Sequence, residues 1–184
     1  MRVLALSGSL RAASINTAFC RAAARLAPPG TQVIVEGGVS ELPLFNPDLE
    51  ASLPAAVRRF HEAVASADAL LIASPEYAHG VSGVLKNALD WLVSIEGVVG
   101  KPVAMINTSP RAHHAQDSLA EILRTMSLNL VAGASVSVPL LGYCNTEQSM
   151  LDSEQVRSAV ARMFGELAAT LAARDPQGPS FPLN

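Results

Sequence analysis

The chain has 184 residues, 49% of them hydrophobic and 16% charged, with a formal net charge of −3. That is enough for one sizeable core and too apolar for disorder, and it offers no basic stripe for nucleic acid and no cationic cluster for anionic lipid. Two cysteines, Cys20 and Cys144, stand far apart and outside any CxxC, which excludes a disulfide framework and dithiol redox work.

Short runs of Val, Leu and Ile alternate with segments of helical period. Val3 to Leu6 is a compact buried run, broken by polar residues from Ser7, so it is too short for a signal-peptide core. Asn16 to Leu26 is Ala-rich and helical, and Pro28-Pro29-Gly30 stops it. Gln32 to Val35 reads as a second strand. A loop with Pro43, Phe45 and Pro47 follows, then a helix from Pro54 to about Ala65. Ala69 to Ala73 is the third strand, Ser74 to Gly83 a loop, and about Val84 to Ile95 a helix. Pro102 to Asn107 is the fourth strand. Leu119, Ile122, Leu123, Met126 and Leu130 carry the spacing of an amphipathic helix. Ala134 to Val138 is the fifth strand, and Val156 to Leu171 mark a last helix. No apolar run approaches the ~18 residues of a membrane span, and a reducing cytoplasm is the expected location.

Strands that alternate with helices make an α/β fold with a parallel sheet covered on both faces. Five strands with right-handed crossovers predict a doubly wound sheet of order 2-1-3-4-5. One domain over 1–174 is expected, with a flexible C-terminal tail over 175–184 that carries three prolines. Such sheets bind ligands beyond the carboxyl ends of their strands, at the switch point between strands 1 and 3. Three loops follow from that rule: Ser7–Ile15, Ser74–Gly83 and Thr108–His114.

The first loop leads from Ser7-Gly8-Ser9-Leu10-Arg11 through Ser14 to Asn16 and Thr17, and opens directly into a helix. Free N–H groups and the positive end of the helix dipole suit an anion there. The hydroxyls add neutral hydrogen bonds, and Arg11 adds a planar charged donor that matches a phosphate. Simple capping by Ser14 or Asn16 is the rival reading, but a cap needs only one such residue. The loop is neither a Walker A nor GxGxxG, and no Cys-x5-Arg phosphatase loop is present.

The second loop and the helix after it read Ser74-Pro-Glu-Tyr-Ala-His-Gly-Val-Ser-Gly-Val-Leu-Lys-Asn-Ala-Leu-Asp-Trp-Leu92. Together with Gly8-Ser9-Leu10-Arg11 and Ser14-Ile15-Asn16, this stretch resembles the NAD(P)H-dependent FMN reductases, a family with chromate, quinone and azo reductase members. The resemblance runs from Val3 to about Val138. It implies a flavodoxin-like fold, bound FMN, and NADPH or NADH as co-substrate. It implies that Ser9, Arg11, Ser14, Asn16 and Thr17 hold the FMN phosphate, and that Pro75, Glu76 and Tyr77 line the ribityl chain and the ring. The family has Asn where this chain has Ala78, which leaves a backbone contact there but no amide side chain. A homodimer or homotetramer is implied too, with the flavin near the interface. From the residues alone, Glu76 equally reads as a cap, Tyr77 as a core tyrosine, Lys86 and Asp90 as a surface ion pair, and Trp91 as core or interface.

The third loop holds Ser109, Arg111, His113 and His114 where the family has a Gly-rich stretch. Ser109 and Arg111 are further cofactor-binding candidates, Arg111 toward a phosphate of the dinucleotide. The histidines either narrow the cleft or offer hydrogen bonds to nicotinamide or acceptor. His79 borders the site, and His61 is expected to be exposed. Adjacent histidines point apart and lack companion ligands, so no metal is assigned. A Ser/His/Asp set from Ser9, His79 and Asp90 lacks a Gly-x-Ser-x-Gly elbow. The resulting expectation is hydride transfer from NAD(P)H through FMN to a quinone, flavin, azo compound or metal oxyanion. No side chain is expected to act as nucleophile. An electron carrier and a non-catalytic phosphate-binding domain are the alternatives.

Overall fold

The computed structural model describes residues 1–109, 113–138, 140, 142 and 144–174. The expected tail over 175–184 lies outside them. In chain order the elements are β1 (Arg2–Ser7), α1 (Ile15–Arg25), β2 (Gln32–Glu36), α2 (Ala55–Ala65), β3 (Ala69–Ala73) and the dipeptide strands β4 (Glu76–Tyr77) and β5 (Gly80–Val81). Then come α3 (Gly83–Asp90), β6 (Pro102–Asn107), α4 (His114–Thr125), β7 (Asn129–Leu130), β8 (Val136–Ser137), α5 (Glu147–Asp152) and α6 (Glu154–Ala172).

The main sheet runs β2-β1-β3-β6-β7 with β8 also on β6, and every pairing is parallel. This is the expected 2-1-3-4-5 order of a flavodoxin-like fold, with the fifth position split in two. Side chains of period two explain the layers. Val3 and Ala5 of β1 face one core with Phe19 of α1 and Phe164 of α6. Leu4 and Leu6 face the other, with Val57 of α2, Leu89 of α3 and Leu123 of α4. Each fully buried Val, Leu or Phe among them stabilises the fold by about 1.5–3 kcal/mol relative to exposure.

Several elements depart from the sequence reading. The fifth strand was expected over 134–138, but only Val136–Ser137 of that segment pairs with β6, and Asn129–Leu130 pairs before it. Between them the Ser135 hydroxyl donates to Val131 O and accepts from Met105 N, at 3.0 and 3.1 Å, so a side chain replaces the missing rung. α4 begins at His114 and stops at Thr125, although the apolar period runs on to Leu130. Ser127 sits at φ 61°, and Leu128 N donates to Leu123 O and Ser127 N to Arg124 O. That is a Schellman end without its usual glycine. α3 ends at Asp90 rather than Ile95, and the rest closes in tight turns that still bury Leu92. Trp91 is core: it is 1% exposed, donates from Nε1 to Pro43 O at 2.8 Å and meets Phe45 edge-on at 5.0 Å. His61 is half-buried, not exposed, because its Nε2 donates to Trp91 O at 2.6 Å. Among the described residues no helix is long and apolar enough to cross a membrane.

Candidate functional site

A parallel sheet delivers every strand's C-terminus to one edge, and the three expected loops meet there. They border a cleft of about 840 Å³, within the usual span of small-molecule sites. Ser9, Arg11, Ser14, Asn16, Pro75, Glu76, Tyr77 and Ser109 all line it.

The first loop leaves β1 at Ser7 and turns on Gly8, whose N–H donates to Ala73 O at 2.8 Å. A Cβ at Gly8 would stand 2.7 Å from Ser74 Oγ and 2.9 Å from Ser82 Oγ, so only glycine lets the first two loops approach this closely. Ser14 is the N-cap of α1, and its Oγ accepts from Thr17 N at 3.2 Å. The cap therefore uses Ser14, while Ile15 and Asn16 begin the helix with no carbonyl one turn before them. Both line the cleft. Asn16 is buried and accepts from Thr108 Oγ1 at 3.0 Å, which ties the first loop to the third. Ser9 Oγ accepts from Arg11 N at 3.5 Å, and the Arg11 side chain is exposed. Thr17 does not line the cleft; its hydroxyl and that of Ser7 share a 2.8 Å hydrogen bond. Cys20, one turn further along α1, is fully buried, and burial pushes its thiol up to about 12, so it offers no thiolate here.

The second loop is a hairpin that the sequence did not signal. β4 and β5 pair antiparallel around Ala78 and His79, at φ 49° and 59°. Two positive values mark a type I′ turn, which prefers Asn-Gly. The left-handed region costs an L-residue about 1–2 kcal/mol. Glu76 lines the cleft, but its Oε2 accepts from Ala115 N at 2.8 Å, in the first turn of α4. A carboxylate suits that positive helix end. Tyr77 is 52% exposed at the mouth and is no core tyrosine, and Ala78 is not among the lining residues. Lys86 and Asp90 form the surface ion pair expected of them, of small value.

In the third loop Ser109 N donates to Asn107 Oδ1 at 3.0 Å. Arg111 lies outside the described residues. His79 stacks on His114 and His114 meets His113 at a tilt of 39°, each pair with ring centroids 4.3 Å apart, so the adjacent histidines do not point apart as expected. None of the three lines the cleft. Among the described residues no group of three or more His, Cys, Asp or Glu is arranged for a metal ion. Sequence reasoning missed Ser74 and Thr108 and a whole fourth wall: Leu140, Gly142, Asn145 and Thr146. The signal was available, since the loop after the fifth strand must reach the same edge.

The donor set suits a phosphorylated planar ligand. Hydroxyls, a guanidinium and a helix N-terminus gather in one loop, while Pro75, Tyr77 and Leu140 offer apolar walls in the others. Comparison with known proteins agrees. The family model for NADPH-dependent FMN reductase matches residues 1–140. An NAD(P)H-dependent FMN reductase of Pseudomonas aeruginosa is 44% identical over 112 residues, 59% of this chain and 60% of that protein. The quinone reductase of Escherichia coli K12 is 37% identical over 113 residues, 59% of this chain and 60% of its own length. These alignments thus span about three fifths of the curated relatives. Among solved structures, the flavoenzyme NAD(P)H:(acceptor) oxidoreductase FerB of Paracoccus denitrificans superposes with a TM-score of 0.74 at 25% identity, covering 92% of this chain and 98% of that one. The chain belongs to the NADPH-dependent FMN reductase family.

Proposed function

We propose that this chain binds FMN at the carboxyl edge of its sheet and catalyses electron transfer from NAD(P)H to a small-molecule acceptor, with quinones as the first class to test. The observation that carries the reading is the first loop. Ser9, Arg11 and the start of α1 stand at one side of a cleft whose other side is the Pro75–Tyr77 segment. Arg11 and Ser9 would hold the phosphate from side chains, and the N–H groups of Ile15 and Asn16 would hold it from the helix end. Ser14 shapes that end by capping it, and Thr17 braces Ser7 behind it. Pro75 and Tyr77 would bound the ring, while Ser109 and Arg111 would serve the ring edge and the dinucleotide.

FMN held there supplies a centre that takes a hydride and passes the electrons on. The chain's own part is binding, orientation and exclusion of water, and no side chain acts as a nucleophile. NAD(P)H and the acceptor would enter by the same cleft mouth in turn, for which ping-pong kinetics are the expected outcome. Flavins, azo compounds and metal oxyanions are further acceptors that such a mouth admits.

The functional unit is a homodimer or homotetramer. Leu10 and Tyr77, 61% and 52% exposed, flank a shallow hollow beside the cleft, which a second copy would cover. Both cysteines are free and buried, which fits a reducing cytoplasm.

The test is anaerobic. Purified chain loaded with FMN should bleach on addition of NADPH and recover its colour with benzoquinone, with parallel double-reciprocal lines. Bleaching by dithionite alone would make the chain an electron carrier. Failure to retain FMN would leave only a phosphate-binding domain.

A further inference from the structure

The hairpin Glu76–Val81 brings Tyr77 to the cleft, yet little within it explains why it keeps its shape. Each strand is two residues long, and isolated two-stranded ribbons are marginal in water. Its turn is Ala78-His79, both at positive φ, where Asn-Gly is the pair that fits. The support comes from outside: Val81 packs half-buried against the core, and two side-chain contacts reach α4. Glu76 Oε2 accepts from Ala115 N at 2.8 Å, in a first turn whose N-cap residue, His113, makes no side-chain cap. At the hairpin tip the His79 ring stacks on His114, 27° from parallel, and His114 rests on His113. Three of the chain's four histidines thus meet in one exposed place, where no core packing calls for them.

We propose that Glu76 and His79 are positioning residues that latch the hairpin to the first turn of α4, so that the helix sets the orientation of Tyr77. Two attachment points fix tilt as well as distance. Since α4 follows the loop that carries Thr108 and Ser109, the latch joins two walls of the cleft into one body. An ill-suited turn and a pair of adjacent histidines then explain each other. The ring stack supplies from outside the rigidity that Asn-Gly would supply from within. The effect on FMN rests on the function proposed above; the latch does not.

Two readouts separate them: amide hydrogen exchange of residues 77–81 in the flavin-free chain, and the FMN dissociation constant. Glu76→Ala should speed exchange of those amides by about ten- to a hundredfold, the scale of one charged hydrogen bond. Glu76→Gln keeps an oxygen for Ala115 N and should stay within about threefold of the parent. His114→Ala should speed exchange by about three- to tenfold, as for loss of an aromatic pair. Adding Ala78→Asn and His79→Gly to His114→Ala should restore the protection. FMN affinity should fall in step with exchange in Glu76→Ala and His114→Ala. Unchanged exchange in either variant overturns the latch. So does an equal rise across the amides of β6, which marks general destabilisation. Faster exchange with undiminished FMN affinity overturns the positioning role. A parent chain that takes no FMN removes the functional reading alone, and exchange still decides the latch.

Discussion

The two ends of the central sheet are built from the same strands and differ in what their polar groups face. At the amino end, Arg2 N donates to Asp68 Oδ2 at 2.6 Å, the Met1 ammonium to Gly30 O at 2.8 Å, and the buried Lys101 ammonium to Ala67 O. Polar groups there close on the chain itself. At the carboxyl end, Ser9, Arg11, Asn16 and Ser109 line a cleft as well as bonding within the chain, as Asn16 does with Thr108 and Ser109 with Asn107. Topology is the cause. In a βαβ sheet the helices begin at the carboxyl end, so α1 and α4 present their positive termini there. One such terminus is used inside the molecule, by Glu76 on α4. The other, that of α1, opens on the cleft.

Substitutions at the two ends should therefore separate ligand binding from stability. The largest effect is expected for Gly8→Val. Its side chain must displace Ser74 and Ser82, which should weaken FMN binding more than about a hundredfold and cost about 1–3 kcal/mol of stability by overpacking. Fluorescence titration and thermal melting would read both, and normal binding would mean the two loops need not approach closely. Next comes Arg11→Ala. Loss of a charged hydrogen bond, about 1.5–3 kcal/mol, should weaken FMN ten- to a hundredfold. Because Arg11 is exposed, stability should stay within about 0.5 kcal/mol. Ser14→Ala should affect both properties: about 1 kcal/mol of stability through the lost cap, with a smaller loss of affinity as the helix end frays.

Lys101→Met, at the amino end, should leave FMN affinity unchanged. Burial lowers the Lys101 pKa from its ordinary 10.5, with Asp68 pulling the other way. Between that lowered value and 10.5 the unfolded chain holds the proton and the folded chain releases it, so stability should rise with pH in that window. Denaturant melts at alkaline pH should show the rise in the parent chain and a flatter profile in Lys101→Met. An altered FMN affinity in that variant would break the division between the two ends.

Legibility in the sequence followed burial. β6 is buried on both faces, and its bounds, Pro102 to Asn107, are those its apolar run predicts. The split fifth strand was not legible, because the Ser135 hydroxyl does the work of a backbone group and leaves no pattern. The end of α4 escaped because Ser127 takes a conformation that glycine usually advertises. In the site, strand order alone directed attention to three loops. The hairpin was hidden by Ala78-His79, a pair that signals no turn. The fourth wall was missed with α5, a six-residue helix too short to show a period; its N-cap, Thr146, lines the cleft. Side-chain roles were the least legible. Only the fold shows that Thr17 faces Ser7 and that Glu76 reaches across to α4.

Whether the mouth of the first loop takes a phosphate is decided by a paired titration. FMN and riboflavin differ only in that group. Flavin-free chain should bind FMN at least about a hundredfold more tightly than riboflavin, the worth of two charged or helix-end hydrogen bonds. Equal affinity for the two, within about threefold, would mean that the loop holds no phosphate.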